Sequence, residues 1–264
     1  MKKILLCCSL FITAVAGAQM KEGRVVYERT MQLPTRMIRT ENAAEAAQLP
    51  RSRTDQFELL FSPSGSLYQF LPNAAEETPG EFSSGGLVMR FGGLNDIVYH
   101  NFEKSQRIDQ RNVMDRNFVV TDSIRRLPWK LSEETKTILN YTVRKATAQN
   151  IRTAMRMSME NGEMKREPYQ DTATVIAWFT SDIPVPAGPD FQGQLPGLIL
   201  ELVLNNGQQV FRAIEVSPKV SVSKIKPPKD GKKLTAAEFT KERDALMEEM
   251  RKNMPPGNFI RVQQ

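Results

Sequence analysis

The chain has 264 residues, 36 Lys and Arg against 30 Asp and Glu, a net charge of +6 and only two cysteines. That length and mixed composition fit a globular domain. The basic residues are spread, not blocked with aromatics, which argues against a surface built to track a phosphate backbone.

Met1-Lys2-Lys3 is a short cationic start, Ile4 to Val15 is an uncharged apolar run, and Ala16-Gly17-Ala18 supplies small residues before Gln19. These three parts form a secretory signal. The run is about a dozen residues, whereas a membrane-spanning helix needs about 20. Cleavage after Ala18 is expected, leaving 19–264 as one exported domain of the periplasm or the outer-membrane surface. No later segment is apolar enough to span a bilayer, so any membrane association is expected to be peripheral. Cys7 and Cys8 lie in the leader, and Leu6 before Cys7 does not suit lipidation. The processed chain then has no thiol for a disulfide, a nucleophile or a metal.

Arg24 to Met31 is β-branched and aromatic and predicts a first strand. Met37 to Arg51, rich in alanine, predicts a short helix or loop. Phe57–Phe61 and Leu67–Phe70 flank Ser62-Pro63-Ser64-Gly65-Ser66, a hairpin with a longer loop. Asn73 to Gly86 is polar and glycine-bearing and predicts a surface loop. Leu87–Phe91, Ile97–Phe102 and Phe118–Val120 predict short strands. Tyr141–Ala148 and Ile151–Met159 predict two more, with Asn161-Gly162 as a hairpin turn. Ala173–Thr180 is nearly continuous and apolar, as a central strand is. Leu198–Leu204 and Gln209–Val216 are joined by Asn205-Asn206-Gly207, and Lys219–Ile225 alternates like a strand. Lys226–Lys233 reads as a linker. Thr235-Ala236-Ala237-Glu238 is a capping box for a helix over about 235–253, with Phe239, Leu246, Met250 and Met254 on one face. The expected fold is mainly β: a curved antiparallel sheet, in the form of a half-open barrel, with a C-terminal helix.

Three stretches carry a resemblance. The first is Leu127-Pro128-Trp129-Lys130-Leu131 with Glu134, Lys136, Ile138, Tyr141, Lys145 and Ala146. The second is Ala177-Trp178-Phe179-Thr180 followed by Ile183-Pro184 and Gly188-Pro189. The third is Leu195-Pro196-Gly197-Leu198-Ile199-Leu200-Glu201. In order and spacing they resemble the GLPGLI family of bacterial envelope proteins over roughly 120–255. The tail from Pro228 to Arg251 is similar to that family's ending. Gln194 stands where the family motif has its first glycine, and Val143 where a cysteine is frequent. The resemblance implies an exported envelope protein of Gram-negative bacteria and brings no mechanism.

Pro196 fixes φ and Gly197 is expected to allow a positive φ, so Leu195–Leu198 predicts a tight turn. That turn is either a buried corner or a binding rim. As a rim it would make Trp178, Phe191, Leu195, Pro196, Gly197 and Met157 candidate ligand-binding residues. The leading reading is a non-enzymatic binding protein, without cofactor, for an apolar small molecule or a hydrophobic segment of an envelope protein. A second reading is an interaction component of an envelope complex. A third is a hydrolase centred on His100, the one histidine, although no Gly-x-Ser-x-Gly elbow accompanies it. Ser221-Val222-Ser223-Lys224 fits Ser-x-x-Lys by letter and reads as a sheet face. Met155, Met157 and Met159 fall on one side of a strand; packing or an apolar groove is the ordinary role of such methionines, and copper(I) the alternative. Glu133-Glu134 and Glu248-Glu249 read as solvated surface. Asp122-Ser123 and Asp171-Thr172 match a short O-glycosylation pattern of some bacterial envelopes.

Overall fold

The computed structural model describes residues 19–33, 51–72, 81–84, 87–90, 96–160 and 163–253. The segment expected as a leader, 1–18, and the alanine-rich stretch expected as helix or loop lie outside them, apart from Arg51. In chain order the strands are β1 (Gly23–Gln32), β2 (Ser52–Ser62), β3 (Gly65–Phe70), β4 (Glu81–Ser84), β5 (Leu87–Arg90), β6 (Ile97–Asn101) and β7 (Gln106–Val113). They continue as β8 (Arg116–Ser123), β9 (Lys130–Ile138), β10 (Tyr141–Glu160), β11 (Glu163–Thr180), β12 (Leu198–Leu204), β13 (Gln209–Ser217) and β14 (Lys232–Thr235). One helix, α1 (Ala236–Asn253), closes the described chain. No helix of the described residues is long and apolar enough to cross a membrane.

Twelve strands form one open sheet in the order β14-β8-β7-β6-β3-β2-β1-β13-β12-β11-β10-β9, and β4–β5 pair by themselves. The fold is mainly β, as the sequence predicts. It departs from a purely antiparallel sheet at one edge, where β14 runs parallel to β8. The stretch taken as a linker therefore includes a strand, because Lys232–Thr235 finds a free edge to pair with. Glu81–Ser84 is likewise a strand within the stretch expected as loop.

Two other strands were not foreseen. β7 reads QRIDQRNV and β9 reads KLSEETKTI, and neither carries an apolar run. In β7 the alternation is Arg107, Asp109, Arg111 against Ile108, Gln110, Asn112, so one face is held by ion pairs. In β9, an edge strand, Glu133 and Glu134 pair with Arg144 and Lys145 of β10; these carboxylates are surface groups, but they bind a neighbouring strand. Tyr141–Ala148 and Ile151–Met159 are one uninterrupted strand. Lys219–Ile225 is not a strand: Val222–Lys224 is a short 3-10 turn against β2, and Ser221, Ser223 and Lys224 are exposed. Alternation alone could not supply the missing partner strand.

The hairpin at Asn205-Asn206-Gly207 forms as expected, with φ of 50°, 54° and 89° at the three residues, the left-handed geometry that Asn and Gly tolerate. Glu160 pairs with Glu163, so a two-residue connection joins β10 to β11 where the Asn-Gly pair was read; residues 161–162 themselves lie outside the described residues.

Apolar side chains gather in three clusters. Val25, Tyr27, Phe57, Leu59, Phe61 and Tyr68 of β1–β3 pack with Ile183, Val185, Ala187, Leu198, Leu200 and Val143. Ala146, Val175, Ala177, Phe179, Leu195, Ile199, Leu202 and Phe211 form a second cluster. Register shifts at Val26/Tyr27, Arg144/Ala146 and Trp178/Phe179 add local twist. The third cluster seats α1 on β8 through Phe118, Val120, Phe239 and Leu246. Met250, expected on the same helix face, is 40% exposed, and Met254 lies outside the described residues. The capping box is present: Glu238 N–H donates to Thr235 Oγ1 at 3.3 Å and Thr235 N–H to Glu238 Oε2 at 2.8 Å.

Candidate functional site: a polar cleft on the inner face

Between β11 and β12 the chain runs through four prolines without regular structure and lies against the face carrying Tyr27, Leu59 and Tyr68. Ile183, Val185 and Ala187 fill the apolar part of that face. Further along, Ser66 donates its hydroxyl hydrogen to Gln192 Oε1. Gly193, at φ 76°, leaves room for Ile124, whose Cδ1 would lie 2.8 Å from an added Cβ. Gln194 accepts from Leu127 N–H at 2.9 Å and from Trp129 Nε1 at 3.0 Å. Its amide oxygen thus ties this segment to the residues before β9, which a glycine could not do.

Beside this segment the inner face turns polar. Cross-strand register places Arg29 opposite Asp55, Ser66 opposite His100, His100 opposite Arg107, and Val98 between Tyr68 and Asp109. Asp55 is bridged by Arg29 at 2.8 Å and Arg53 at 2.7 Å. Asp109 is bridged by Arg107 and Arg111, each at 2.7 Å. The Arg29 guanidinium also sits 4.6 Å over the Phe57 ring, which stacks on Tyr68 at 5.2 Å and 4°. Two Arg-x-Asp spacings, Arg53-Asp55 and Arg107-Asp109-Arg111, therefore project one face of charge from β2 and β7. Sequence reading passed over both, although period-2 alternation of opposite charges is the signal that could have found them.

Asp190 stands in this region at φ 56°. It is exposed to water, yet the surrounding protein strips enough solvation to push its carboxyl upward, against the pull of Arg107 and Arg29. Asp190 is thus the solvent-facing carboxylate of the segment that lies against this polar face. Within the same face, Tyr68 Oη, His100 Nδ1, Gln192 Nε2 and Arg29 Nε are buried and find no hydrogen-bond partner among the described residues. Burial raises the Tyr68 hydroxyl well above its ordinary value. Burial, aided by Arg107 and opposed by Asp109, lowers His100 from 6.5 to about 4, so the imidazole is neutral at physiological pH. Ser66, its cross-strand neighbour, gives its hydrogen to Gln192, so the two are not arranged as nucleophile and base.

The residues singled out from the sequence fall elsewhere. Phe191 and Leu195 pack in the second cluster, Phe191 edge-on to Trp129 at 5.8 Å. Trp178 borders the first cluster and carries Lys136 Nζ 4.2 Å over its ring. Pro196 is exposed and Gly197 buried. Gly197 is not among the positive-φ glycines, which corrects the expected turn: the missing Cβ is needed for a close approach, not for a left-handed backbone. Met157 pairs with Arg166, about 40 Å further along β10 than the Lys145 that faces Trp178. The structure thus does not bring these six residues together. Met155, Met157 and Met159 share positions of one parity on β10, opposite Pro168, Arg166 and Met164. Ser123 and Thr172, the hydroxyls of the glycosylation pattern, are both exposed.

Beyond Ala148 and Val175, β10 and β11 pair only with each other. They form a two-stranded arm about 40 Å long. Arg152 and Asp171 form an ion pair across it at 2.6 Å, while Ile151, of the opposite parity, is 60% exposed.

Comparison with known proteins gives two findings. The sequence model of a family described as proteins of unknown function, Porph_ging, matches residues 129–201, a span that holds the Ala177–Pro189 and Leu195–Glu201 stretches. No curated protein matches the chain. Among solved structures, PNGF-II in two crystal forms, P21 and C2, is similar over 84% and 83% of this chain, each with a TM-score of 0.50 and 16% identity. This chain spans 32% of that protein's length. At that identity the likeness is one of fold.

Proposed function

We propose that this chain is an exported, non-enzymatic binding protein of the bacterial envelope that holds a small polar ligand at the polar inner face beside Tyr68. The observation that carries this reading is that four buried polar atoms of the inner face, Arg29 Nε, Tyr68 Oη, His100 Nδ1 and Gln192 Nε2, have no hydrogen-bond partner among the described residues. An unmade buried hydrogen bond costs about 1–3 kcal/mol, and a ligand that completes several at once recovers that cost. The apolar part of the same face is filled by Ile183, Val185 and Ala187, which favours a polar ligand over the apolar one read from the sequence. Native mass spectrometry of the mature protein, isolated gently from its own envelope, tests this. A small-molecule adduct that disappears in Tyr68→Phe is expected; a bare chain counts against it.

A second reading rests on the arm. A two-stranded ribbon standing alone is only marginally stable in water. The register places Ile151, Met155, Met157 and Met159, opposite Thr172, Pro168, Arg166 and Met164, on the parity other than the one that carries the Arg152–Asp171 pair. We take this as a docking surface for a hydrophobic segment of an envelope protein, in which methionines supply an adaptable contact. A partner that stays bound after residues 152–171 are replaced by a short turn would remove the arm from consideration.

A further inference from the structure

We propose that the arm pairs with the arm of a second copy of this chain, β10 edge to antiparallel β10 edge, with Met155 on the two-fold axis. The inference deepens the reading of the arm as a docking surface by naming its partner, and it rests on that reading.

The free edges of the sheet come first. An unpaired strand edge is a template for another chain, and folds blunt it with short strands, charges, bulges or proline. β14, at one end of the sheet, is four residues long and opens with Lys232 and Lys233. β9, at the other end, is bulged. Leu131 pairs with Ala146 and Thr135 with Arg144, so the three positions between them, Ser132 to Glu134, stand against Lys145 alone. In the arm, β11 carries Pro168, which has no N–H to offer a further strand. β10 has no proline from Gln149 to Glu160, and it pairs with β11 on its other side without a register shift. That outer edge has no partner among the described residues.

The register comes next. Two β10 strands related by a two-fold axis normal to the sheet oppose residues of the same parity. With Met155 on the axis, Ile151 stands opposite Met159 of the second copy, Thr153 opposite Met157, and Met155 opposite itself. On the other parity Asn150 meets Glu160, Arg152 meets Ser158, and Ala154 meets Arg156. No like charges are directly opposed, an arrangement that would be destabilising. Glu160 of the second copy then stops at Asn150, and Gln149 and Ala148 stay clear for the connection that follows it. The neighbouring registers fail. With Ala154 on the axis, Arg152 meets Arg156, and the connection runs into Thr147, which Lys130 already holds. With Arg156 on the axis, that residue meets itself.

The product is a four-stranded antiparallel ribbon, β11-β10-β10-β11. A two-stranded ribbon is marginal in water, whereas three or more strands with an apolar face are stable alone. The centre of that face is the apolar parity of the two β10 strands, including Ile151, 60% exposed in the single chain. The β11 positions of the same parity, among them Gln170, Arg166 and Thr172, form its rim. An apolar centre within a polar rim is the anatomy of a protein interface. The two-fold axis closes the assembly at two copies, so no fibre follows.

The test is sedimentation velocity of the chain beginning at Gln19, which lacks both cysteines. A dimer is expected at about 100 µM, well above the micromolar dissociation constants of modest interfaces, and a monomer once 152–171 are replaced by a short turn. Met155→Cys puts a thiol on the axis and is expected to crosslink two copies under a mild oxidant. Thr153→Cys and Met157→Cys each set their two thiols about 14 Å apart, beyond disulfide reach, and are expected to stay uncrosslinked. Met157→Glu is expected to weaken the dimer about tenfold, and Thr153→Lys added to it to restore it, because the two become opposite charges facing across the copies. A parent chain that is monomeric at about 100 µM overturns the proposal, as does a dimer that survives loss of the arm. So does Thr153→Cys crosslinking as fast as Met155→Cys, or a double variant no tighter than Met157→Glu alone. A monomeric parent that still needs its arm to hold another envelope protein overturns the self-pairing and leaves the wider reading of the arm in place.

Discussion

Gly197 approaches the backbone of Thr180 so closely that a Cβ built on it would stand 2.1 Å from the Thr180 carbonyl oxygen. The contact closes the corner where the segment after β11 returns to begin β12. Alanine at this position has no flexible neighbour to push aside, since the obstacle is main chain. Gly197→Ala is expected to lower stability by about 1–3 kcal/mol, the range for overpacking a close contact, as read by urea unfolding. An unchanged midpoint would mean that the corner relaxes freely.

Asp55 holds two arginines and its side chain is fully buried. Removing it leaves Arg29 and Arg53 beside each other without their shared carboxylate. Asp55→Ala is expected to cost about 3–5 kcal/mol, as breaking a buried ion pair does, and Asp55→Asn a smaller part of that. Thermal and urea unfolding of the two variants side by side would check the order.

His100 gives the fold a pH dependence whose sign follows from its lowered pKa of about 4. Between 4 and the ordinary 6.5 the unfolded chain takes up a proton that the folded chain refuses. Its contribution is complete above pH 6.5 and is lost as the pH falls toward 4, by about 3 kcal/mol in all. His100→Gln is expected to flatten that part of the stability curve relative to the parent chain. Parallel slopes for the two proteins from pH 6.5 to 4.5 would show that His100 does not titrate this way.

Beyond Ala148 and Val175 the two strands of the arm pair only with each other. Replacing 152–171 with a short turn is therefore expected to leave the unfolding transition cooperative and the stability within about 0.5 kcal/mol, as for a change remote from any core. A large loss of stability would place the arm inside the folding unit.

Much of this architecture is legible where one residue pattern decides the outcome locally. The Thr235–Glu238 capping box, the Asn205-Asn206-Gly207 turn and the apolar Ala173–Thr180 strand are of that kind. β7 and β9 were illegible because their partners, not their own hydrophobicity, make them strands. Lys219–Ile225 shows the converse, an alternation with no neighbour to pair with. The polar inner face is harder still to read. Arg29, Asp55, Tyr68 and Arg107 come from four separate stretches, and only the sheet order makes them neighbours. The sequence drew attention to Trp178, Phe191 and Leu195 because large apolar residues stand out, and those side chains are spread between two packed clusters.

The pairing of β1 with β13 joins Arg24 to Ser217, so the seventh and eighth strands from the β14 edge meet only after most of the chain has been made. A chain delivered N-terminus first cannot finish its sheet until that late strand arrives. Until then β1 offers an unpaired edge, and closing so long a loop is entropically slow. Assembly of this protein is thus governed by its last third, and truncations there should leave a sticky, half-made sheet instead of a smaller folded one.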